Sequence, residues 1–186
     1  MRNVTYGMGV SLDGYIADRN GGIGWSAPDE ELHRFDNEQT RAVGLELYGR
    51  RMYETMRYWE TAADDPAAPA TELEFARIWQ ATPRIVFSRT LDRAEGGAEL
   101  ASGDLAAEIA RLKEQPGGDI ALGGAGLGAG AIALGLVDEY RLFVYPVVLG
   151  GGTPFFPGLE APIALELAES RRFGSGVAYL RYVVRR

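Results

Sequence analysis

Apolar residues fall in short runs of strand length, each broken by a glycine or hydroxyl turn. Through the first two thirds of the chain, stretches with helical spacing follow these runs. Residues 3 to 12 are strand-like, with Gly7 and Gly9 inside the run. Ser11-Leu12-Asp13-Gly14 is a turn, and Asp18 to Gly24 is a glycine-rich loop that ends at Trp25. Pro28 opens a helix with Asp29, Glu30 and Glu31 in its first turn, where the helix dipole favours acidic side chains. A strand over 42–48 carries a single charge, meets Gly49 and turns into a helix over 50–59. Residues 61–70 are Ala/Pro-rich and read as an insertion rather than a domain boundary. A helix over 71–80 and a strand over 84–88 follow. Asp104 caps a helix whose apolar Leu105, Ile109 and Leu112 share one stripe. A strand over 119–122 leads through a glycine turn into a helix near 125–134.

The last third is β-rich. Residues 140–149 read as one long buried strand, and 163–172 with 177–184 form a hairpin around Gly174-Ser175-Gly176. This order predicts one α/β domain over residues 1–186. Its sheet is mixed and mostly parallel, with helices on both faces and an antiparallel hairpin at the end.

Composition narrows the chemistry. Of 186 residues, 46% are hydrophobic, enough for a substantial core. The net charge of −7 argues against a nucleic-acid partner, which selects for a basic face. No apolar stretch is long enough to span a bilayer, and the N-terminus lacks the apolar segment of a signal peptide, so a soluble cytoplasmic protein is expected. The absence of cysteine removes thiolate nucleophiles and Cys-ligated metals. A single histidine, His33, rules out a His-rich metal site within one chain. Its neighbours Glu30, Glu31, Arg34 and Asp36 suggest a solvated helix face. No metal is expected.

Ligands of an open α/β sheet bind outside the carboxyl ends of the parallel strands. Three such ends carry suitable groups. Gly49-Arg50-Arg51 offers free helix-terminal amides and two guanidinium groups that match phosphate. Ser88-Arg89-Thr90 offers two hydroxyls and a guanidinium, and Gly123-Gly124-Ala125-Gly126 offers bare backbone before a helix. Each alone fits a solvated turn as well as a site. Together they suit a dinucleotide, and arginine at two ends favours NADP over NAD. Residues 124–129 match Gly-x-Gly-x-x-Ala literally, but no acidic residue closes a second strand about 20 residues on, so a Rossmann unit is not indicated. Glycines inside the first strand mark either tight packing or close approach of a ligand. Trp25, Tyr145, Phe155 and Phe156 can stack on a flat substrate or fill the core; Trp25, after a glycine loop, has the stronger claim to the first role.

The blocks SLDGYIAD (11–18), LYGRRMYE (47–54), VFSRTL (86–91), LGGAGL (122–127), GLVDE (135–139) and PVVLGGGTPFF (146–156) span nearly the whole chain. In this order and spacing they resemble the dihydrofolate-reductase-like superfamily. More closely they resemble the reductase domain of bifunctional riboflavin-biosynthesis deaminase-reductases and its stand-alone relatives. The resemblance implies a three-layer α/β/α domain, NADPH as hydride donor and often a homodimer. It implies that Gly49, Arg50 and Arg51 hold the adenosine phosphates and that Ser88 and Arg89 meet the 2′-phosphate side. Gly123, Gly124, Ala125, Gly126 and Leu127 would line the pyrophosphate and nicotinamide ribose, and Gly9, Ile16 and Ala17 would border the nicotinamide. Asp13 falls in the signature turn near the cofactor–substrate junction, or else closes an Asx-turn on its own backbone. Dihydrofolate reductases bring a carboxylate from the first helix to the ring, which points to Asp29, Glu30 or Glu31 as an aid to protonation, or to acids that simply solvate a helix start. The chain departs from the riboflavin-pathway pattern at Leu122, where a glutamate is usual, and at Met52, where a hydroxyl residue is common. The implied reaction is hydride transfer to a small heterocycle. The nearest named activity is 5-amino-6-(5-phosphoribosylamino)uracil reduction, with dihydrofolate reduction or nucleotide binding without turnover as alternatives.

Overall fold

The computed structural model describes residues 1–65 and 67–185. Among these residues the elements run, in order, β1 (Val4–Ser11), β2 (Tyr15–Ala17), α1 (Glu30–Thr40), β3 (Val43–Gly49), α2 (Arg50–Met56), α3 (Ala70–Ala81), β4 (Arg84–Phe87), β5 (Glu99–Leu100), α4 (Leu105–Lys113), β6 (Asp119–Gly123), α5 (Ala125–Ala133), β7 (Glu139–Tyr145), β8 (Thr153–Pro154), β9 (Leu165–Arg172) and β10 (Ala178–Val184). Eight strands form one sheet in the order β5-β4-β3-β6-β1-β7-β10-β9, and β2 pairs with β8 beside it. Every pairing from β5 to β7 is parallel, while β10 runs antiparallel to both β7 and β9. The sheet is therefore mixed and mostly parallel with an antiparallel C-terminal hairpin, as the alternation predicts.

Strand alternation sorts the core into two faces. Val4, Tyr6, Leu45, Leu47, Ile85, Ile120 and Leu122 pack beneath Ile109 and Leu112 of α4 and Ala131 and Ile132 of α5. On the opposite face, Leu32 and Phe35 of α1 pack on Tyr145, Phe173 and Tyr179, and Tyr53 of α2 packs on Tyr48 and Val86. Between these last two clusters the opposite face is not filled. Among the described residues no helix is long and apolar enough to cross a membrane.

The structure departs from these expectations at several points. β7 ends at Tyr145, because Pro146 has no N–H to continue the ladder. The helix expected over 50–59 is α2 plus a 3₁₀ turn over Arg57–Glu60. Asp29 is the N-cap of α1 rather than part of its first turn, its Oδ1 accepting from the Leu32 amide at 2.9 Å. His33 is not on a solvated face: its ring lies edge-on to Phe75 and Trp59, with centroids 5.9 and 6.4 Å away.

Candidate active site

The turns after β3, β4 and β6 converge on one rim. Gly49 and Gly124 are the N-caps of α2 and α5, and neither helix has a side-chain cap. By contrast, Asp29 and Asp104 cap α1 and α4. The first amides of α5 are thus left for an external acceptor. Gly124 has φ +101°, and a Cβ there would sit 3.1 Å from Met52 Cβ and 4.0 Å from the Gly49 nitrogen, so glycine lets the two turns abut. Nothing lies within 4 Å of a Cβ placed on Gly126, so the start of α5 is open. Arg50 Nη1 donates to Thr90 Oγ1 at 2.6 Å, tying the second turn to the first, while its Nε donates to Glu54. The Ser88 hydroxyl accepts from the Thr90 and Leu91 amides and so closes its own turn. Arg51 and Arg89 are exposed. Ala125 and Leu127 are partly exposed in the first turn of α5.

The signature turn is a clamp. Asp13 accepts from Ser11 Oγ at 2.7 Å, from the Leu149 amide at 3.0 Å and from the Gly150 amide at 2.7 Å. These hydrogen bonds, the Leu149 amide first, hold its carboxyl below the usual carboxylate range, so Asp13 stays ionised. Its reach across to residues 149–150 is a tie that neither sequence reading of Asp13 contains. Ile16 is buried in the main core, and Ala17 pairs with Thr153. A Cβ on Gly9 would sit 3.2 Å from the Tyr145 ring and 3.4 Å from Ser26 Cβ.

Beside the rim a cleft of about 190 Å³ opens between the two clusters of the α1–α2 face. Its lining includes Gly7, Asp36, Glu46, Met52, Arg141 and Phe143. Gly7 is exposed in the middle of a central strand, so the floor of the cleft is bare backbone. Met52 and Gly123 belong both to the cleft and to the abutting turns. The cleft therefore continues into the rim. Gly123 is packed so closely that a Cβ would overlap the Tyr48 ring.

Two carboxyls sit in this cleft. Glu46 is buried, and its Oε2 accepts from the Tyr48 hydroxyl, which accepts in turn from Trp79 Nε1 at 3.0 Å. Burial pushes Glu46 up to about 7, with the Asp36 charge adding to the shift and Arg84 opposing it. Burial likewise pushes Asp36 up to about 6, against the pull of His33 and Arg141. Both carboxyls can give or take a proton near neutral pH. Arg141 is the one cation among the described lining residues, and it bonds Glu139 at 2.6 Å and Asp119 at 3.4 Å.

The carboxylates favoured from sequence lie elsewhere. Glu30 pairs with Arg34 in solvent, and Glu31 accepts from the Gly174 amide at 3.0 Å and faces Arg171. Neither lines the cleft. Tyr145 is 8% exposed within the α1 cluster, and Trp25 packs edge-on against it at 5.7 Å, its Nε1 bonded to the Gly22 carbonyl. Sequence reasoning passed over Asp36, Glu46, Tyr48 and Arg141. The signal for Glu46 was its position as the lone charge in an apolar strand, in phase with Tyr48.

The whole chain has relatives of matching length and fold. It is 35% identical over 182 residues to the uncharacterized protein YyaP of Bacillus subtilis (strain 168), covering 97% of this chain and 94% of that one. The Thermotoga maritima diaminohydroxyphosphoribosylaminopyrimidine deaminase/5-amino-6-(5-phosphoribosylamino)uracil reductase superposes with a TM-score of 0.71 at 16% identity, covering 99% of this chain and 57% of that one. Dihydrofolate reductase from Enterococcus faecalis, in complex with NADP(H) and RAB-propyl, superposes at 0.63 with 18% identity, covering 99% of this chain and 97% of that one. The fold is thus dihydrofolate-reductase-like. The model of the RibD C-terminal domain matches residues 2–179, and the chain belongs to that family.

Proposed function

We propose that the protein is an NADPH-dependent oxidoreductase that transfers hydride to a small heterocycle. The observation that carries this reading is the continuity of the carboxyl-lined cleft with the glycine turns, through Met52 and Gly123. The rim fits a dinucleotide: an uncapped α5 with φ +101° at Gly124, open space at Gly126, and the exposed cations Arg50, Arg51 and Arg89. When bound, NADPH supplies the hydride; its organic chemistry is its own. The amides of Ala125, Gly126 and Leu127 hold phosphate, while Arg50, Arg51 and the Ser88–Arg89 turn recognise the adenosine side. Gly9 and the backbone of Ile16 and Ala17 border the ring end. Gly7 lets a flat substrate lie on the strand backbone, and the cleft carboxyls or water supply the proton that balances the hydride.

Family membership and the fold support a reductase. The nearest named activity is 5-amino-6-(5-phosphoribosylamino)uracil reduction, and dihydrofolate reduction is the second. The protein acts in the cytoplasm as a homodimer on a small molecule, without nucleic acid or membrane. The test is loss of NADPH absorbance on mixing with candidate heterocycles. Consumption that requires both partners supports an enzyme. Affinity for NADPH with no turnover on any pyrimidine or pterin points to a nucleotide-binding protein instead.

A further inference from the structure

The start of α5 can hold an anion only if its amides stay in place, and glycine gives the turn before it no side chain with which to fix itself. Gly123 ends β6 and Gly124 is the N-cap of α5, so both depend on what packs against them. Met52 touches this turn: its Cγ lies 3.2 Å from the place of a Cβ on Gly123, and its Cβ 3.1 Å from that on Gly124. Tyr48 is closer still, since a Cβ on Gly123 would overlap its ring. A thioether chain adapts its shape, whereas a tyrosine ring does not. The position of the turn therefore follows that of the Tyr48 ring.

The far end of that ring is fixed. Tyr48 is 2% exposed, and its hydroxyl is engaged in both directions. It donates to Glu46 Oε2, and it accepts from Trp79 Nε1 at 3.0 Å. Trp79 belongs to α3, and the Arg84 guanidinium of β4 lies over its ring, 4.1 Å from the centroid. Arg84 in turn donates to the carbonyls of Trp79, Thr82 and Gly96. Packing alone does not call for this chain. A phenylalanine fills the space of a tyrosine ring, whereas Trp79, Tyr48 and Glu46 bury three polar groups. A bonded polar chain specifies one position for the ring, which is what a turn presenting amides to a ligand requires. Glu46 also lines the cleft, so one hydrogen bond joins the seat of the turn to the wall of the cleft.

Resting on the reductase reading, we propose that Tyr48 is a positioning residue for the cofactor: held by Glu46 and Trp79, its ring sets the Gly123–Gly124 turn that offers the α5 amides to the pyrophosphate of NADPH. The adenosine side is served separately, because the Arg50–Thr90 bond and the Ser88 turn are built without Tyr48. Loss of the Tyr48 hydroxyl should therefore weaken a ligand that carries the pyrophosphate and spare one that carries only the 2′-phosphate.

Calorimetry on the full chain tests this with two probes, NADPH and adenosine 2′-monophosphate. Tyr48→Phe keeps the ring and removes its ties. NADPH binding is expected to weaken about fivefold in this variant, as loss of one hydrogen bond predicts, with adenosine 2′-monophosphate unchanged. Gly123→Ala drives the turn off the ring and is expected to weaken NADPH about tenfold or more. In a Tyr48→Leu background the ring is gone, and the same Gly123→Ala change is expected to cost little further. Unchanged NADPH binding in Tyr48→Phe overturns the inference alone, as does equal weakening of both probes, which marks a general loosening. Failure of the wild-type protein to bind NADPH removes the reductase reading and the inference with it.

Discussion

Arg50 donates from Nη1 to Thr90 Oγ1 at 2.6 Å, joining the turn after β3 to the turn after β4. The bond holds an exposed guanidinium on the rim where the cofactor phosphates are proposed to lie. Replacing Arg50 with alanine removes the charge, and NADPH affinity is expected to fall about tenfold, since a hydrogen bond to a charged group contributes roughly 1.5–3 kcal/mol. Thr90→Val leaves the charge and the Glu54 pairing but removes the tie between the two turns, so a smaller loss is expected. Titration of both variants followed by tryptophan fluorescence checks the order. Equal affinities in wild type and Arg50→Ala would remove Arg50 from the site.

Gly7 offers a way to separate the proposed substrate cleft from the proposed cofactor rim. A Cβ at this position would approach Arg141 Cβ to 3.0 Å and stand on the cleft floor. Gly7→Val is therefore expected to destabilise the fold by about 1–3 kcal/mol through overpacking and to depress kcat/KM strongly. NADPH affinity is expected to change little, because the phosphate rim lies at the strand ends. A parallel loss of both functions would contradict the separation.

Strand–glycine–helix turns were legible because each carries a local signal: an apolar run, a glycine, then helical spacing. Gly49 before α2, Gly124 before α5 and the Asp104 cap all follow from such signals. The cleft acids were not legible in the same way. Asp36 sits next to Phe35, which faces the core, yet in sequence it belongs to a run of acids that looks solvated. Only the packing of α1 against β7 and β10, strands far from it in sequence, turns it inward. Glu30 and Glu31 show the opposite case, since helical phase sends them to solvent and to the Gly174 turn. β2, β5 and β8 span three, two and two residues, too few for any period to register.

Glu46 makes stability depend on pH. Its carboxyl is raised from 4.5 to about 7 in the folded protein, mainly by burial. The native state then binds more protons than the unfolded chain between these values, so stability is fully present below about 4.5 and declines as pH rises through about 7. Asp36, raised from 3.8 to about 6, acts in the same direction. The melting temperature is expected to fall by several degrees between mildly acid and mildly alkaline buffer, and Glu46→Gln is expected to flatten the slope. A wild-type melting temperature that climbs across this window would contradict the raised carboxyls.

Asp13 carries the opposite sign. Its carboxyl is held below its ordinary value by the Leu149 and Gly150 amides and Ser11, so its contribution is present above the ordinary carboxylate range and is lost as pH falls below it. Asp13→Ala is expected to speed hydrogen exchange at the amides of Leu149 and Gly150 at neutral pH, with the difference vanishing in acid. Unchanged exchange at those two amides would show that the clamp does not hold the loop.

The rim formed by Gly49, Arg50, Arg51, Ser88, Arg89 and Gly124 is proposed to take a dinucleotide bearing a 2′-phosphate. Parallel titrations of the wild-type protein with NADPH and NADH, followed by tryptophan fluorescence, test it most directly. Micromolar binding of NADPH with NADH weaker by about tenfold or more is the expected result, as one charge-assisted phosphate contact supplies that difference. Equal binding of the two would contradict the arginine roles, and no binding of either would contradict the cofactor reading itself.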